Sequence, residues 1–315
     1  MNRLPFLGIL VAAALSVGGL VAQESKQPET LEAWKARRLA ALVRPDGWLA
    51  LIGRHPLEHG TWTVGSGADN AIRLAAGPDY LGEITYSEQG KVLFTVGPDV
   101  PATIDGVKRT EATNFAVGEK AFGYEGSWST GELDYKSDNP THVRAGTVNF
   151  HIMERSGKLF LRVRDSQSPR LQHFAGLDYF PVDPAWRIEA EWIPFDPPRV
   201  VKVTNIIGLT EPADVPGKAV FTVDGQTYSL IPFDEGPESR LFFVLTDSTA
   251  GTETYEACRF LYANRPVNGK IILDFNQLYN PPCAFTPFAT CPLPPKENVL
   301  PFPLRAGEMK YRGEH

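Results

Sequence analysis

Two arginines two residues apart, Arg162 and Arg164 in the run LFLRVRD (159–165), have the type and spacing to do chemistry. In an extended chain successive side chains point to opposite faces, so Leu159, Leu161 and Val163 face one way while Phe160, Arg162 and Arg164 face the other. A guanidinium is a planar fork of five donors that fits carboxylate and phosphate oxygens. Charges sit within apolar alternation elsewhere too: Asp247 with Leu241, Phe243 and Leu245, Asp274 and Asn276 with Ile272, and Arg259 with Tyr255, Ala257 and Leu261. Such a charge is costly unless it is paired.

Two outcomes satisfy that cost. Either Arg162, Arg164 and Arg259 pair with Asp165, Asp247 and Asp274 as structural salt bridges, or these groups line a cleft that grips a small polar or anionic molecule. In the second case Thr249, Thr254, Tyr255, Tyr279, Asn276 and Asn280 add neutral hydrogen-bonding groups, and the loop STAGTETYE (248–256) forms a rim. The leading expectation is a ligand-binding protein. A hydrolase using Asp247 or Asp274 as general base is the alternative, and a structural or assembly partner in the cell envelope is a third class that leaves a protein partner open.

The run DFNQLYNPPCAFTPFATCPLPP (274–295) supplies the wall of the expected cleft. Its prolines at 281, 282, 287, 292, 294 and 295 lack amide donors and fix φ, which dictates a rigid, non-repetitive loop. Cys283 and Cys291 fall within it, and a disulfide between them would stabilise the fold by about 2.5 kcal/mol through loop closure. Zinc is the rival for the pair, but Cys-x7-Cys without a nearby His is poor metal spacing. Cys258 shares a face with Phe260 and reads as a small buried hydrophobe.

Standard catalytic constellations do not appear. There is no Gly-x-Ser-x-Gly, no His-Glu-x-x-His and no P-loop. His55, Glu58 and His59 have the order of an inverted zinc-protease motif, but Pro56 is badly placed for a helix interior and Gly60 would end the helix at once. His173 is the candidate for a base recruited from a distance, and reads as an ordinary strand-edge residue. No metal and no cofactor is expected.

The elements that must position these groups are almost all strands. Residues 30–43 read as one helix, with Leu31, Trp34 and Leu42 in one arc that also contains Arg38, and Asp46-Gly47 ends it. Beyond it lie short β-rich runs, with Ser156-Gly157 and Asp224-Gly225 placed as tight hairpin turns. Their close spacing leaves no room for crossover helices, so the class is all-β. The expected plan is a helical segment at 23–47, a sandwich at 48–130 and a larger antiparallel β-sandwich or barrel at 131–315, with the boundary in GYEGSWSTGELDYKSDNP (123–140).

Two resemblances add to this. The segment TVGSGADNAIRL (63–74), followed by GEITYSEQGKVLFTV and ATIDG, resembles the start of a forkhead-associated sandwich. That family holds phosphothreonine with an Arg after the first Gly, a Ser-x-x-His and an Asn-Gly; here Ser66 follows Gly65, no Ser-x-x-His appears and Asp105-Gly106 replaces Asn-Gly. The resemblance therefore implies the fold without phosphopeptide binding. The stretch from Trp34 to Glu308 resembles a bacterial family known only as domain of unknown function 1684, through PDGWLALIG (45–53), LRVRD (161–165), FPVDPAWRIEA (180–190), FFVLTDSTAGTETYEACRFLY (242–262) and residues 274–308. It implies kinship and no activity.

The termini and the net charge bound the setting. MNRLPFLGILVAAALSVGGLVA has one Arg, an apolar run and small residues ending at Ala22, the layout of a secretory signal peptide, with an uncleaved anchor as the alternative. Removing residues 1–22 deletes only Arg3 among the charges and moves the formal net charge from −6 to −7. A mildly acidic chain without a basic run repels phosphates, which argues against nucleic acid as partner. No later segment is apolar enough to span a bilayer. The expected location is extracytoplasmic, periplasmic or secreted. Amino-terminal sequencing of protein recovered from the envelope or medium is expected to start near Gln23; intact Met1 in the cytosol would contradict export.

Overall fold

In the computed structural model the alternating runs form eighteen strands in three sheets among the described residues, which are 29–104, 107–108, 129–136 and 140–313. The expected leader, the Asp105-Gly106 pair, much of the 123–140 stretch and His315 lie outside these residues. The first sheet runs in the order β1 (Leu51–Leu57), β11 (Lys158–Asp165), β10 (Val148–Arg155), β9 (Val143–Ala145), β6 (Ala102–Ile104) and β7 (Val107–Lys108). The second contains β3 (Ile72–Arg73), β2 (Gly60–Gly65), β4 (Gly82–Tyr86), β5 (Val92–Val96) and β8 (Ser129–Glu132). The third runs β17 (Arg259–Ala263), β16 (Leu241–Leu245), β15 (Phe233–Asp234), β13 (Thr210–Val223), β12 (Arg187–Thr204) and β18 (Lys270–Asp274), with β14 (Gln226–Leu230) hydrogen-bonded to β13. Among the described residues the protein is all-β apart from one long helix, a four-residue helix at Pro169–Gln172 and four single-turn 3-10 helices.

One core joins the first two sheets. Leu159, Leu161 and Val163 of β11 enter it with Phe150, Ile152 and Phe94, so the period-two reading of LFLRVRD puts its apolar face where the pattern required. Strands β10 and β11 pair with each other and β11 with β1, and all three share that core. The first unit therefore draws strands from both sides of residue 130, the position at which the sequence placed the boundary. The reason is non-local: β1 has no hydrogen-bonded neighbour nearer in the chain than β11. At the hairpin tips Ser156 and Gly157 have φ of 50° and 72°, and Asp224 and Gly225 have φ of 49° and 75°. Paired positive φ at two residues is the turn that matches strand twist, and it fixes the register of both hairpins.

The third sheet is buried on both faces near its β16 end. All five residues of β16 are buried, which is why LFFVL is a continuous apolar run rather than an alternating one. Phe242 and Val244 face a cluster with Leu42, Leu49 and the Cys283–Cys291 loop, while Leu241, Phe243 and Leu245 face another with Leu300, Leu304 and Ala306. Runs that read as two strands, RIEAEWIP and RVVKVTNIIG, are one 18-residue strand β12, which keeps its pairing with β13 across a register shift between Pro194 and Arg199.

The helix α1 (Leu31–Leu42) begins at Thr30, whose hydroxyl accepts the Ala33 N–H at 3.2 Å. Trp34 and Leu42 are buried, as their shared arc required. Arg38 breaks the apolar stripe for a reason visible only in three dimensions: its Nε donates to Glu308 Oε1 at 2.9 Å and its Nη2 to the Asn280 carbonyl at 2.8 Å. The helix thus docks on a buried carboxylate as well as on apolar surface.

Candidate functional site

The residues expected to converge on one cleft divide into two groups in the structure. The first is sealed in the carboxyl-terminal half. Arg259 and Asp247 form an ion pair at 2.7 Å with each side chain 1 % exposed. Arg259 also donates to the carbonyls of Leu304 and Ala306, while Asp247 Oδ1 accepts from the Thr249 hydroxyl at 2.6 Å, the Thr249 N–H at 2.9 Å and the Leu304 N–H at 3.1 Å. The Thr249 hydroxyl lies 2.8 Å from that of Thr254. Asn280, fully buried, donates its N–H to Glu308 Oε2 and its amide Nδ2 to the Met309 carbonyl. Tyr255 donates to the Cys283 carbonyl, and the Tyr279 ring carries the Arg38 guanidinium 4.7 Å from its centre.

These groups tie strands to the irregular tail. Glu308 is fully buried and takes donors from Arg38, Tyr179 and Asn280. Asn276 exchanges hydrogen bonds with the Asp183 backbone and Asp274, and Asp274 caps the turn at Phe275–Gln277 with Arg187 at 4.0 Å. Asp165 accepts the Gln167 N–H in its own turn. The Asp247 carboxylate therefore accepts from four donor groups, and Asp274 is engaged in a cap.

The second group is a cationic sheet face. The register sets Arg54 of β1, Arg162 of β11 and His151 of β10 in one row, with Arg164 and Asn149 in the next. Arg162 is 7 % exposed, its Nε is buried without a hydrogen-bond partner, and no carboxylate among the described residues is within ion-pair distance. The guanidinium lies 5.2 Å from the Trp48 ring centre. Burial, then the charges of Arg164, Arg155 and Arg54, lower its pKa to about 9, so it stays charged at neutral pH. Arg164 Nη1 donates to His151 Nδ1 at 3.1 Å, and its Nε is also buried without a partner. Burial and the neighbouring Arg164, His142 and Arg162 push His151 down to about 3. Its ring is neutral at physiological pH and, accepting at Nδ1, carries its proton on Nε2. A row of donors faces the same way.

The Pro/Cys loop roofs this face, since Arg54 Nη1 donates to the Ala289 carbonyl at 3.0 Å. Beside it opens a cleft of about 480 Å3 whose charged lining is Arg155 against Glu211, Asp214, Asp234 and Glu235. The expected Cys283–Cys291 bridge is not formed: all three cysteines are free and buried. The two loop cysteines are instead in contact through the Cys283 N–H, which donates to Cys291 Sγ at 3.2 Å. His55 sits within strand β1 and His59 stacks on Tyr86 at 4.0 Å, so that run lacks the helix an inverted zinc motif needs. No helix among the described residues is long and apolar enough to cross a membrane.

His151 and Asn149 were legible in principle. A two-residue turn at Ser156-Gly157 pairs Arg155 with Lys158, and counting back sets His151 opposite Arg162 and Asn149 opposite Arg164. Arg54, more than a hundred positions away, carried no such signal.

Residues 172–309 match the family model described as "Protein of unknown function (DUF1684)". A solved relative, the uncharacterized protein of Haloarcula marismortui determined by solution NMR, is 32% identical over 44% of this chain and 78% of its own, with a TM-score of 0.38. The chain belongs to this family. The DUF1684 match takes in the 180–190, 242–262 and 274–308 runs, and so the sealed Arg259, Asp247 and Glu308 network. The arginine face on β11 precedes it in the chain. No curated protein matches.

Asp247→Asn, which strands Arg259 in the core, is expected to cost about 3–5 kcal/mol in denaturant unfolding, and Asn280→Ala about 1–3 kcal/mol. Near-native stability for both would mean that the network is dispensable. His151 gives a separate test. Its folded pKa of about 3 lies below the ordinary 6.5, so the unfolded chain takes up the proton first as the pH falls. The stability this contributes is complete above 6.5 and is lost towards 3. Melting temperatures across that window should fall more steeply for the wild type than for His151→Gln, and parallel curves would exclude the assignment.

Proposed function

We propose that the protein binds a small anion, of the carboxylate or phosphate class, at the Arg162, Arg164 and His151 face, and does so outside the cytoplasm as its Arg3-led apolar leader implies. One observation carries this reading: Arg162 is buried and charged with no acidic partner among the described residues, while Arg259 in the same protein has one. A buried, unmatched guanidinium is costly, and a bound oxyanion offsets that cost with charge-assisted hydrogen bonds. Arg162 and Arg164 present two forks from one face, and the neutral His151 adds an N–H without adding charge. The roofing loop excludes water, which strengthens each contact.

Thermal melts of the full chain in inorganic phosphate, and in succinate, against chloride at equal ionic strength test this. At least one anion should raise the wild-type midpoint by a few degrees, because a ligand that binds only the folded state stabilises it by mass action. Arg162→Met should melt no lower than the wild type without anion, since it removes an unmatched buried charge, and should lose the response. An unchanged response in Arg162→Met, or no response to either anion in the wild type, sinks the proposal.

A further inference from the structure

The cysteines are the buried nucleophiles that anion binding leaves without a role. A second cavity, of about 290 Å3, is lined by Ile206, Ile207, Tyr255, Glu256, Cys283 and Ala289 among others. Cys291 lies behind Cys283, 5 % exposed and outside the lining, in contact through the 3.2 Å hydrogen bond from the Cys283 N–H to its Sγ. Cys258 lies deeper, its thiol directed at the Pro292 carbonyl at 3.7 Å.

We propose that Cys283 and Cys291 are a reactive dithiol that exchanges with a small, neutral aliphatic disulfide entering this cavity, Cys283 attacking and Cys291 resolving. The two sulfurs divide the work by position. Cys283 is the one at the cavity wall. The neighbouring Cys291 thiol lowers the pKa of Cys283, and Cys283 in turn raises that of Cys291, which keeps its proton; burial raises that of Cys258. The thiolate is the attacking species, so Cys283 reacts first. Ile206, Ile207 and Ala289 offer apolar walls to the alkyl arms of the substrate, and Glu256, paired with Lys310 at 3.3 Å, disfavours an anionic one.

The chemistry balances without a further reactant. The Cys283 thiolate attacks one sulfur of RS–SR, the S–S bond breaks, and RS⁻ leaves and takes a proton from water. The Cys291 thiol then gives up its proton and its sulfur attacks Cys283 Sγ, which expels the second RS⁻ and forms the Cys283–Cys291 disulfide. The dithiol loses two electrons and RS–SR becomes two RSH. Prolines 281, 282, 287 and 292 hold the loop so that the second step is local.

The test is acid-quenched mass mapping of the folded, reduced full chain exposed to bis(2-hydroxyethyl) disulfide. The wild type should lose both loop thiols together, and Cys291→Ser should accumulate a mixed disulfide on Cys283. Cys283→Ser should react about tenfold more slowly than the wild type. Labelling that begins at Cys258 or Cys291, equal rates in Cys283→Ser, or a bridge that forms and is reduced only after unfolding would overturn the assignment. Should a variant fail to fold, limiting iodoacetamide on the native wild type decides: alkylation of Cys283 ahead of the other two supports it, and equal alkylation of the three overturns it. Neither readout depends on anion binding at Arg162.

Discussion

A buried ion pair between Arg259 and Asp247, 2.7 Å apart and each 1 % exposed, organises the carboxyl-terminal half. Its desolvation is offset by the partners around it: Arg259 reaches the carbonyls at Leu304 and Ala306, with its Nε alone left without a partner, and Asp247 gathers two N–H groups and a hydroxyl. The tail from Leu300 to Tyr311 forms no strand, and its backbone is satisfied partly by backbone of other segments, as at Leu300, Glu308 and Met309, and partly by these side chains at Leu304 and Ala306. Glu308 extends the arrangement by drawing α1 down through Arg38 and fixing the Asn280 backbone. Asn298 works in the same way, bonding both polar groups of Ile231 and the Val244 carbonyl. The Pro/Cys loop can be irregular and rigid together because its ends are pinned by buried polar contacts.

That rigidity gives the loop two different neighbours. One side roofs the arginine face through Arg54 and Ala289, and the other contributes Cys283 to a separate cavity. Ala289 belongs to both, since its carbonyl accepts from Arg54 while the residue lines the second cavity. A contrast between like residues gives each region its meaning. Arg259 is buried and matched, and it is scaffold. Arg162 is buried and unmatched, surrounded by other arginines, which is an arrangement that a folded protein tolerates only at a cost in stability.

Much of the fold was legible from local pattern. Alternation in LFLRVRD assigned Leu159, Leu161 and Val163 to a core and both arginines to the opposite face, and Ser156-Gly157 and Asp224-Gly225 marked their turns, because side-chain direction and positive φ are local properties. The helix and its apolar residues Trp34 and Leu42 were legible for the same reason. Charges set in apolar alternation announced that Arg162, Arg164, Arg259, Asp247 and Asp274 needed partners. Which partner each received did not follow, since Arg259 found Asp247 across adjacent strands while Asp274 found Arg187, Arg164 lies near Asp46 without an ion-pair contact, and Arg162 found no acid among the described residues.

The sequence by itself determined the class of structure, the faces of its strands, the stiffness of the proline loop and the presence of more buried charge than local pairing could satisfy. Tertiary structure decided the rest. It brought β1 against β11 across more than a hundred residues and so added Arg54 to the row, and it folded the tail so that Asp247 was consumed. It also set Cys283 at a cavity wall with Cys291 behind it. These outcomes depend on distance between residues remote in the chain, and both Coulomb energy and desolvation change steeply over a few ångströms. A linear pattern fixes which side chains share a face, whereas the contact that makes an arginine a brace or a binding group is settled only when another segment packs against it.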